Sequence, residues 1–376
     1  MKKNVDLIYI TAGGGHKASA EALKASIEMS YDWNIRLIDL REILEPVDWV
    51  KKYTGISIEN FYNRYIESGM TYGSTAMLRI LQFFIRQMDN SLFITISNYF
   101  MNRNSDLVVS LIPNFNIPLY DAVTKLKVPF VTIMTDMADC PPNFWIEEHQ
   151  SQCHVICGTT KAFNQVLKTI SIPHLVSGMM VHPKFYKPPV YGINFMGWRH
   201  DVITALVSFG KNTPSKVFNL ISIAENLDIP FQFIFVCGNN EKLYNKLLLN
   251  KTAHSKVQYI QIGFSDQLPY YMDNADFFIG KPGPGLVSEV LVKNLPVFLN
   301  NKATMLQEKY TIKWIENLEF GSSGNIYDIN NLRNFIDKIN FYKNRIKRYN
   351  NQAVFEVPPI LNQIMINSGR DIECKI

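Results

Sequence analysis

A histidine directly follows three glycines near the start of the chain, in Gly13-Gly14-Gly15-His16. The loop lies between an apolar stretch at 5–11 and a helical pattern at 17–30, so the histidine is expected at the first turn of a helix. The positive end of the helix dipole lowers the pKa of a histidine there, and a neutral imidazole can accept a proton. His16 is therefore a candidate general base, and the glycines allow it to approach a substrate closely.

The same loop fits a second pattern. Gly13, Gly15 and Ala18 have the spacing of a dinucleotide-binding fingerprint, and Asp39 ends the next apolar stretch, where a ribose-binding acid is expected. This pattern predicts a nicotinamide-dependent oxidoreductase. A third interpretation is structural, since three glycines also permit a tight turn and close packing of a helix on a sheet.

A second glycine-rich loop, at 280–285, reads GKPGPG and precedes the helical pattern LVSEVLVKN. Glycine and proline remove side chains and preset the turn, so that backbone N–H groups at the helix start can face an anion such as a diphosphate. Glu289 in that helix can accept hydrogen bonds from vicinal hydroxyls, or simply complement the helix dipole. The chain has no Walker lysine pattern and no Asp-x-Asp triplet, which excludes a P-loop NTPase and a carboxylate clamp for a metal-bound diphosphate.

Composition indicates an ordered, mildly basic chain. Its 376 residues are 47% hydrophobic and 19% charged, with a formal net charge of +5, which fits a folded protein of about two domains. The charge suits an anionic ligand or membrane surface and is too weak to predict nucleic-acid binding. No apolar run approaches the ~18 residues of a membrane span. We expect a cytoplasmic protein that is peripheral on the inner face of the membrane.

Cysteine spacing raises the question of a metal site. Cys153 and Cys157 follow His149 at four-residue intervals, but they alternate with Val155 along a predicted strand, which favours buried thiols. Zinc also requires four ligands, and the sequence offers no convincing fourth. Five cysteines at wide spacing argue against a secreted disulfide framework. We expect neither a metal nor another cofactor.

Apolar stretches alternate with helical patterns in two series, which predicts parallel sheets. The predicted strands lie at 5–11, 35–40, 106–112, 129–136 and 154–159, and then at 202–210, 231–238, 257–264, 275–280 and 296–300. A proline-rich linker at 176–192 separates the series. The pattern predicts an α/β fold of two doubly wound Rossmann-like domains facing each other across a cleft.

Several motifs in the same order carry a family resemblance. The two loops stand in TAGGGHKASAEAL and GKPGPGLVSEVLVKNLPVFLN, and the further motifs are VTIMTDMADCPPNFW (131–145), SGMMVHPKF (177–185), VCGNNEKL (236–243) and IGF (262–264). Together they resemble the diacylglycerol glycosyltransferases of the monogalactosyldiacylglycerol synthase and processive diacylglycerol glucosyltransferase type. The resemblance covers about residues 4–345.

This resemblance implies the GT-B architecture, like that of glycosyltransferase family 28. It implies an inverting, metal-independent transfer of a hexose from a UDP-sugar to a lipid hydroxyl, with diacylglycerol as the acceptor and a glycoglycerolipid as the product. The domains would be an acceptor-binding domain at 1–186, a UDP-sugar-binding domain at 193–345, and a tail at 346–376 that packs on the first domain. The expected partners are the UDP-sugar, a membrane lipid and an anionic membrane surface, without nucleic acid.

Site residues follow from the resemblance by position. The donor-binding residues would be Gly263 and Phe264 at the uracil, Gly283, Pro284 and Gly285 at the diphosphate, Glu289 at the ribose, and Gln307 and Glu308 at the sugar. Lys281 would also bind the donor. The acceptor side would hold Gly14, Gly15 and Trp145. His16 and Asp136 compete for the role of general base.

The chain departs from the family pattern in three places. Ser208-Phe209-Gly210-Lys211 replaces a glycine-rich loop, so Gly210 and Lys211 are expected at the diphosphate, with Lys211 as a cation. Leu306 replaces the glycine before the Gln-Glu pair, which leaves the sugar open. Thr11-Ala12 ends the first strand, where many relatives have an acidic residue.

Two further questions stay open in the sequence. The segment MLRILQFFIRQM (77–88) places Leu78, Leu81 and Ile85 on one helical face, which predicts either a helix at an anionic membrane surface or a core helix. The functional alternatives are transfer to a polyprenyl-linked or soluble acceptor, a nicotinamide-dependent oxidoreductase, and a sugar-nucleotide-binding module without activity.

Overall fold

The structure is a computed structural model of the chain. It describes residues 2–11, 14–44, 82, 85, 89–140, 143–147, 152–193, 198–211, 213–251, 256–302 and 304–373. The helix predicted at 77–88 therefore lies outside the described residues, apart from Gln82 and Ile85. Two compact units form: Met1–Pro183 with Met305–Tyr310 and Asn351–Ile376, and Lys184–Thr304 with Thr311–Asn350.

Unit 1 contains a six-stranded parallel sheet in the order β2-β1-β3-β4-β5-β6. Its strands are β1 Asn4–Tyr9, β2 Asn34–Asp39, β3 Leu107–Ser110, β4 Phe130–Ile133, β5 His154–Cys157 and β6 Ile172–Leu175. The side chains of β3 and β4 are buried throughout, as expected for central parallel strands covered on both faces.

The helices of unit 1 connect these strands and cover the sheet. They are α1 Gly15–Ser30, α2 Leu40–Leu44, α3 Asp89–Met101, α4 Asn116–Lys125 and α5 Thr160–Val166. A long C-terminal helix, Ala353–Glu373, contains Pro358 and Pro359 and packs on α1. There the Ser26 hydroxyl donates a 2.6 Å hydrogen bond to the Val354 carbonyl.

Unit 2 contains a second six-stranded parallel sheet, in the order β12-β11-β10-β7-β8-β9. Its strands are β7 Ile203–Ser208, β8 Phe231–Gly238, β9 Gln258–Gly263, β10 Phe277–Gly280, β11 Val297–Asn300 and β12 Gly321–Gly324. Its helices are α6 Leu220–Ala224, α7 Glu241–Leu249, α8 Leu268–Asp273, α9 Pro284–Val292, α10 Leu306–Leu318, α11 Ile329–Ile336 and α12 Ile339–Ile346. In this numbering the C-terminal helix of unit 1, Ala353–Glu373, is α13. Residues 305–310 at the start of α10 cluster with unit 1.

The two doubly wound α/β sheets confirm the predicted fold class. All ten predicted strands form, and two edge strands, β6 and β12, were not predicted. β6 contains Pro173, and β12 reads GSSG without an apolar side chain, so neither carries a strand pattern; each forms by backbone pairing to its neighbour. No helix in the described part of the chain is long and apolar enough to cross a membrane.

Candidate functional site

Strand order in unit 1 brings together residues that lie far apart in sequence. β1, β3 and β4 are adjacent, so the segments that leave their carboxyl ends meet at one edge of the sheet. His16 follows β1 at the start of α1, Leu111 follows β3, and Thr135 and Asp136 follow β4. The two candidate bases therefore lie at the same edge.

The His16 imidazole is held by protein groups. Its Nδ1 lies 2.9 Å from the Thr135 hydroxyl oxygen. Burial lowers the pKa of His16 to about 4, while a hydrogen bond to the Leu111 backbone acts in the opposite direction. The sequence predicts a neutral imidazole because of the helix dipole, and the structure gives the same state chiefly through burial.

Asp136 is the second candidate base, and it is buried beside His16. Its Oδ2 accepts a 2.8 Å hydrogen bond from the Trp145 indole N–H. Burial raises the pKa of Asp136 to about 7, the Trp145 hydrogen bond lowers it, and the charges of Glu308 and Asp139 raise it. A carboxyl with a pKa near 7 is suited to accepting a proton at neutral pH.

Asp139 was not identified from the sequence, yet it organises the loop that carries Trp145. Its carboxylate accepts hydrogen bonds from the backbone N–H groups of Asn143 (2.9 Å), Phe144 (2.9 Å) and Trp145 (2.7 Å). The signal available in the sequence was an aspartate ahead of a proline- and asparagine-containing loop, which is typical of carboxylates that bond to loop backbone. Trp145, predicted on the acceptor side, is fully buried.

The Gln-Glu pair stands at the start of α10. Glu308 is buried, and its Oε2 accepts a hydrogen bond from the Met305 backbone N–H at 3.2 Å. Gln307 is partly buried, with its amide nitrogen 3.6 Å from the Met305 sulfur. Both residues belong to unit 1, whereas the sequence assigns them to the domain at 193–345.

The glycine loop of unit 2 lies at the carboxyl end of β10 and leads into α9. The first backbone bond of α9 runs from Val287 N–H to Gly283 carbonyl at 3.0 Å, so the preceding N–H groups of Gly285 and Leu286 have no intrahelical partner. A Cβ placed on Gly285 would meet nothing within 4 Å. The loop therefore presents N–H groups beside open space, which is the geometry of an anion site at a helix N-terminus.

Glu289 lies one turn after Gly285, on the same face of α9. Among the described residues, none donates a hydrogen bond to its carboxyl group. Burial raises the pKa of Glu289 to about 7, and the charge of Lys184 acts in the opposite direction. A largely buried carboxyl without donors has full capacity to accept hydrogen bonds from a ligand.

The other predicted donor-binding residues of these loops follow the ends of β7 and β10. Gly210 follows β7, which pairs directly with β10, and has φ +80°. The Lys281 side chain runs beside both glycines, with its Cε 3.8 Å from a Cβ built on Gly210 and 3.4 Å from one built on Gly283. Pro284 is the first residue of α9, and Lys211 is exposed. Lys281 and Lys211 thus bring two cations to the loops at these strand ends.

The predicted uracil residues end β9 on the far side of β8. Gly263 is the last residue of the strand, and Phe264 follows with 76% of its surface exposed. An aromatic ring this exposed is available to pack against a planar base. Gly14 precedes α1 with φ +83°, and Gly15 opens the helix with open space around it.

Asp39 is engaged by protein groups, which disfavours the dinucleotide interpretation. Arg41 binds both carboxylate oxygens, at 2.9 and 2.6 Å, and the Thr11 hydroxyl donates at 2.6 Å. Burial would raise the pKa of Asp39, but these hydrogen bonds hold it below its usual value. Both carboxylate oxygens of Asp39 already accept hydrogen bonds from protein groups, so neither is open to the two hydroxyls of a ribose.

Cys153 and Cys157 are buried thiols, as their alternation predicts. Burial raises the pKa of each to about 12, so both are protonated at neutral pH, and metal binding requires the thiolate. His149 lies outside the described residues. Among the residues described, no group of three or more His, Cys, Asp or Glu is placed to hold a metal ion.

Comparison with known proteins yields relatives by sequence and by structure. No family model matches the chain. A curated protein of Glycine max named "Probable monogalactosyldiacylglycerol synthase, chloroplastic" is 27% identical over 321 residues, which covers 80% of this chain and 58% of the relative. The chain thus spans less than two thirds of the length of that curated relative.

Solved structures share the fold at low identity. The Acinetobacter baumannii MurG structure matches with a TM-score of 0.60 and 12% identity, covering 96% of this chain and 100% of MurG. The structure of Os79 from O. sativa in complex with UDP matches with a TM-score of 0.60 and 12% identity, covering 97% of this chain and 99% of Os79. The chain has the GT-B fold and is similar over four fifths of its length to monogalactosyldiacylglycerol synthases.

Proposed function

We propose that this protein is an inverting glycosyltransferase that moves a hexose from a UDP-sugar to a lipid hydroxyl, with diacylglycerol as the acceptor. The product would be a glycoglycerolipid. The sequence similarity to monogalactosyldiacylglycerol synthases supports the lipid acceptor. The UDP complex of the structural neighbour Os79 supports the donor class.

The observation that carries the proposal is the carboxyl group of Glu289. It is largely buried and lacks hydrogen-bond donors among the described residues, one helical turn after the open N–H groups of Gly285 and Leu286. A nucleoside diphosphate has a matching group for each, at a similar spacing. Its ribose hydroxyls can donate hydrogen bonds to the carboxyl, and its phosphate oxygens can accept them from the N–H groups. Lys281 and Lys211 add positive charge, so the proposed diphosphate binding needs no metal ion.

The edge of the sheet in unit 1 supplies the proposed chemistry. An inverting transfer needs a base that removes the acceptor hydroxyl proton while the sugar–phosphate bond breaks on the opposite face. Neutral His16 and Asp136, whose pKa is near 7, are both able to accept that proton. The departing UDP retains the bonding electron pair, and the helix start and lysines of unit 2 stabilise its charge.

A polyprenyl-linked or soluble acceptor is the second candidate, since the donor groups named above are indifferent to the acceptor. The oxidoreductase interpretation is weaker because the Asp39 carboxylate is already engaged by Arg41 and Thr11. Peripheral binding to an anionic membrane surface belongs to the proposal, and the net charge of +5 is compatible with it.

The test is a panel of radiolabelled UDP-sugars incubated with vesicles that contain diacylglycerol, followed by lipid chromatography. Label in a monoglycosyl-diacylglycerol product is expected. At a UDP-sugar concentration below KM it should fall by about 10- to 100-fold in Glu289→Ala. If the sugar is transferred only to polyprenyl phosphate or to a soluble acceptor, diacylglycerol is not the acceptor. Thermal stabilisation by NAD and not by UDP would overturn the proposal, because only a true ligand stabilises the native state by mass action.

A further inference from the structure

Trp145 joins the two candidate bases of unit 1. Its side chain is fully buried at the carboxyl edge of the sheet. The indole N–H donates to Asp136 Oδ2 at 2.8 Å, and the indole ring lies against the His16 ring, with centroids 5.9 Å apart and planes inclined by 51°. A single side chain thus contacts both groups that could accept the acceptor proton.

The loop backbone fixes where this indole lies. The Trp145 backbone N–H donates to Asp139 Oδ1 at 2.7 Å, and the Trp145 carbonyl accepts from the Asn116 side-chain amide at 3.4 Å. Both partners are buried. These two hydrogen bonds hold the Trp145 backbone in place. The indole N–H is therefore fixed in its direction toward Asp136.

We propose that Trp145 is a positioning residue that holds the Asp136 carboxylate in a reactive orientation through its indole N–H and supports the His16 imidazole with its ring. The inference rests on the proposed transferase function for its catalytic consequence. It replaces the predicted role of Trp145 as an acceptor contact, since a fully buried ring has no surface to offer an acceptor.

The hydrogen bond has a predictable effect on titration. Asp136 faces the charges of Glu308 from α10 and Asp139 from its own loop, and neutral His16 and Thr135 stand beside it at the strand ends. Both carboxylates disfavour ionisation of Asp136, while the indole donor favours it. Removing the donor must therefore raise the pKa of Asp136.

The test is Trp145→Phe, which keeps an aromatic ring near His16 and removes the N–H. The pH dependence of kcat is measured for both proteins with the same UDP-sugar and lipid vesicles. We expect the acid limb, near pH 7 in the wild type, to move upward by about one to two pH units, the equivalent of a hydrogen bond to a charged group. At a pH below both midpoints, kcat should fall by about 10- to 100-fold. An unchanged midpoint overturns the proposal even if kcat falls. A downward shift also overturns it, since lost packing admits water and lowers the pKa of Asp136, whereas loss of the donor raises it.

A second measurement needs neither a folded Trp145→Phe variant nor catalysis. The indole ¹H–¹⁵N resonance of Trp145, assigned by replacing the other four tryptophans in turn, is followed from pH 5 to pH 9. We expect it to titrate with a midpoint near 7 in the wild type and in His16→Ala, and not in Asp136→Asn. A resonance that ignores pH in the wild type overturns the proposal.

The two measurements separate the inference from the proposed function. Absence of sugar transfer together with a titrating Trp145 indole would defeat the transferase assignment and leave the Trp145–Asp136 coupling standing. Sugar transfer with a pH-independent indole would do the reverse.

Discussion

The Glu289 carboxyl should lower the free energy of unfolding at neutral pH, although it is the proposed contact to the donor ribose. Its pKa is raised from an ordinary 4.5 to about 7 by burial. In the unfolded chain the carboxyl ionises near pH 4.5, whereas in the folded protein it resists ionisation until about pH 7. Folding is therefore penalised as pH rises from about 4.5 to about 7, and the penalty stays constant above that range.

The size of the penalty follows from the two pKa values. Each unit between them corresponds to about 1.4 kcal/mol, so the full penalty is about 3 kcal/mol. Glu289→Gln removes the titration. The gain in stability of this variant over the wild type should therefore be about 2 kcal/mol larger at pH 8 than at pH 5. For a unit of this size that corresponds to a rise in melting temperature of about 4–8 °C.

Thermal unfolding at the two pH values, with the full-length chain, measures this difference. The exposed Glu241→Gln in the first turn of α7 is the matched control. Calorimetry with a UDP-sugar should show that Glu289→Gln binds about 10- to 100-fold more weakly, because hydrogen bonds to a charged acceptor are worth about 1.5–3 kcal/mol. If the stability gain of Glu289→Gln does not depend on pH, the raised pKa of the Glu289 carboxyl is refuted. Unchanged donor affinity would refute its role at the ribose.

Three further predictions test the remaining parts of the site. His16→Ala should lower kcat by ~10²–10⁴-fold without loss of UDP affinity; a larger loss in Asp136→Asn would assign the base to Asp136, and weakened UDP binding with kcat preserved would make His16 a phosphate ligand. Sugar transfer should persist in excess EDTA, because the helix start and lysines hold the diphosphate; loss of activity that Mg²⁺ or Mn²⁺ restores would contradict this. Gly280→Ala should destabilise the protein by about 1–3 kcal/mol in urea unfolding, since its Cβ would lie 2.3 Å from the Ser208 carbonyl oxygen. The matched Gly285→Ala should leave stability unchanged and weaken donor binding, because its Cβ enters only the open space of the proposed diphosphate site.

The sequence by itself determined the fold class and the two loops. Strands buried on both faces of a parallel sheet must be continuously apolar, so stretches such as the one around β8 were recognisable without any partner strand. The glycines of the loops were also recognisable in the sequence. The structure supplies the reason for Gly280, where an added Cβ would collide with the neighbouring strand β7. These features depend on local composition, which the sequence displays directly.

Only the tertiary structure decided which polar groups meet. β6 and β12 have no apolar pattern of their own, and the contacts of His16 with Thr135 and Trp145 join segments that follow different strands. The strand order sets those neighbours, and periodicity carries no information about strand order. The pKa values of Asp136 and Glu289 likewise follow from burial by distant parts of the chain, because desolvation is a property of the whole packed unit rather than of a residue's neighbours in sequence.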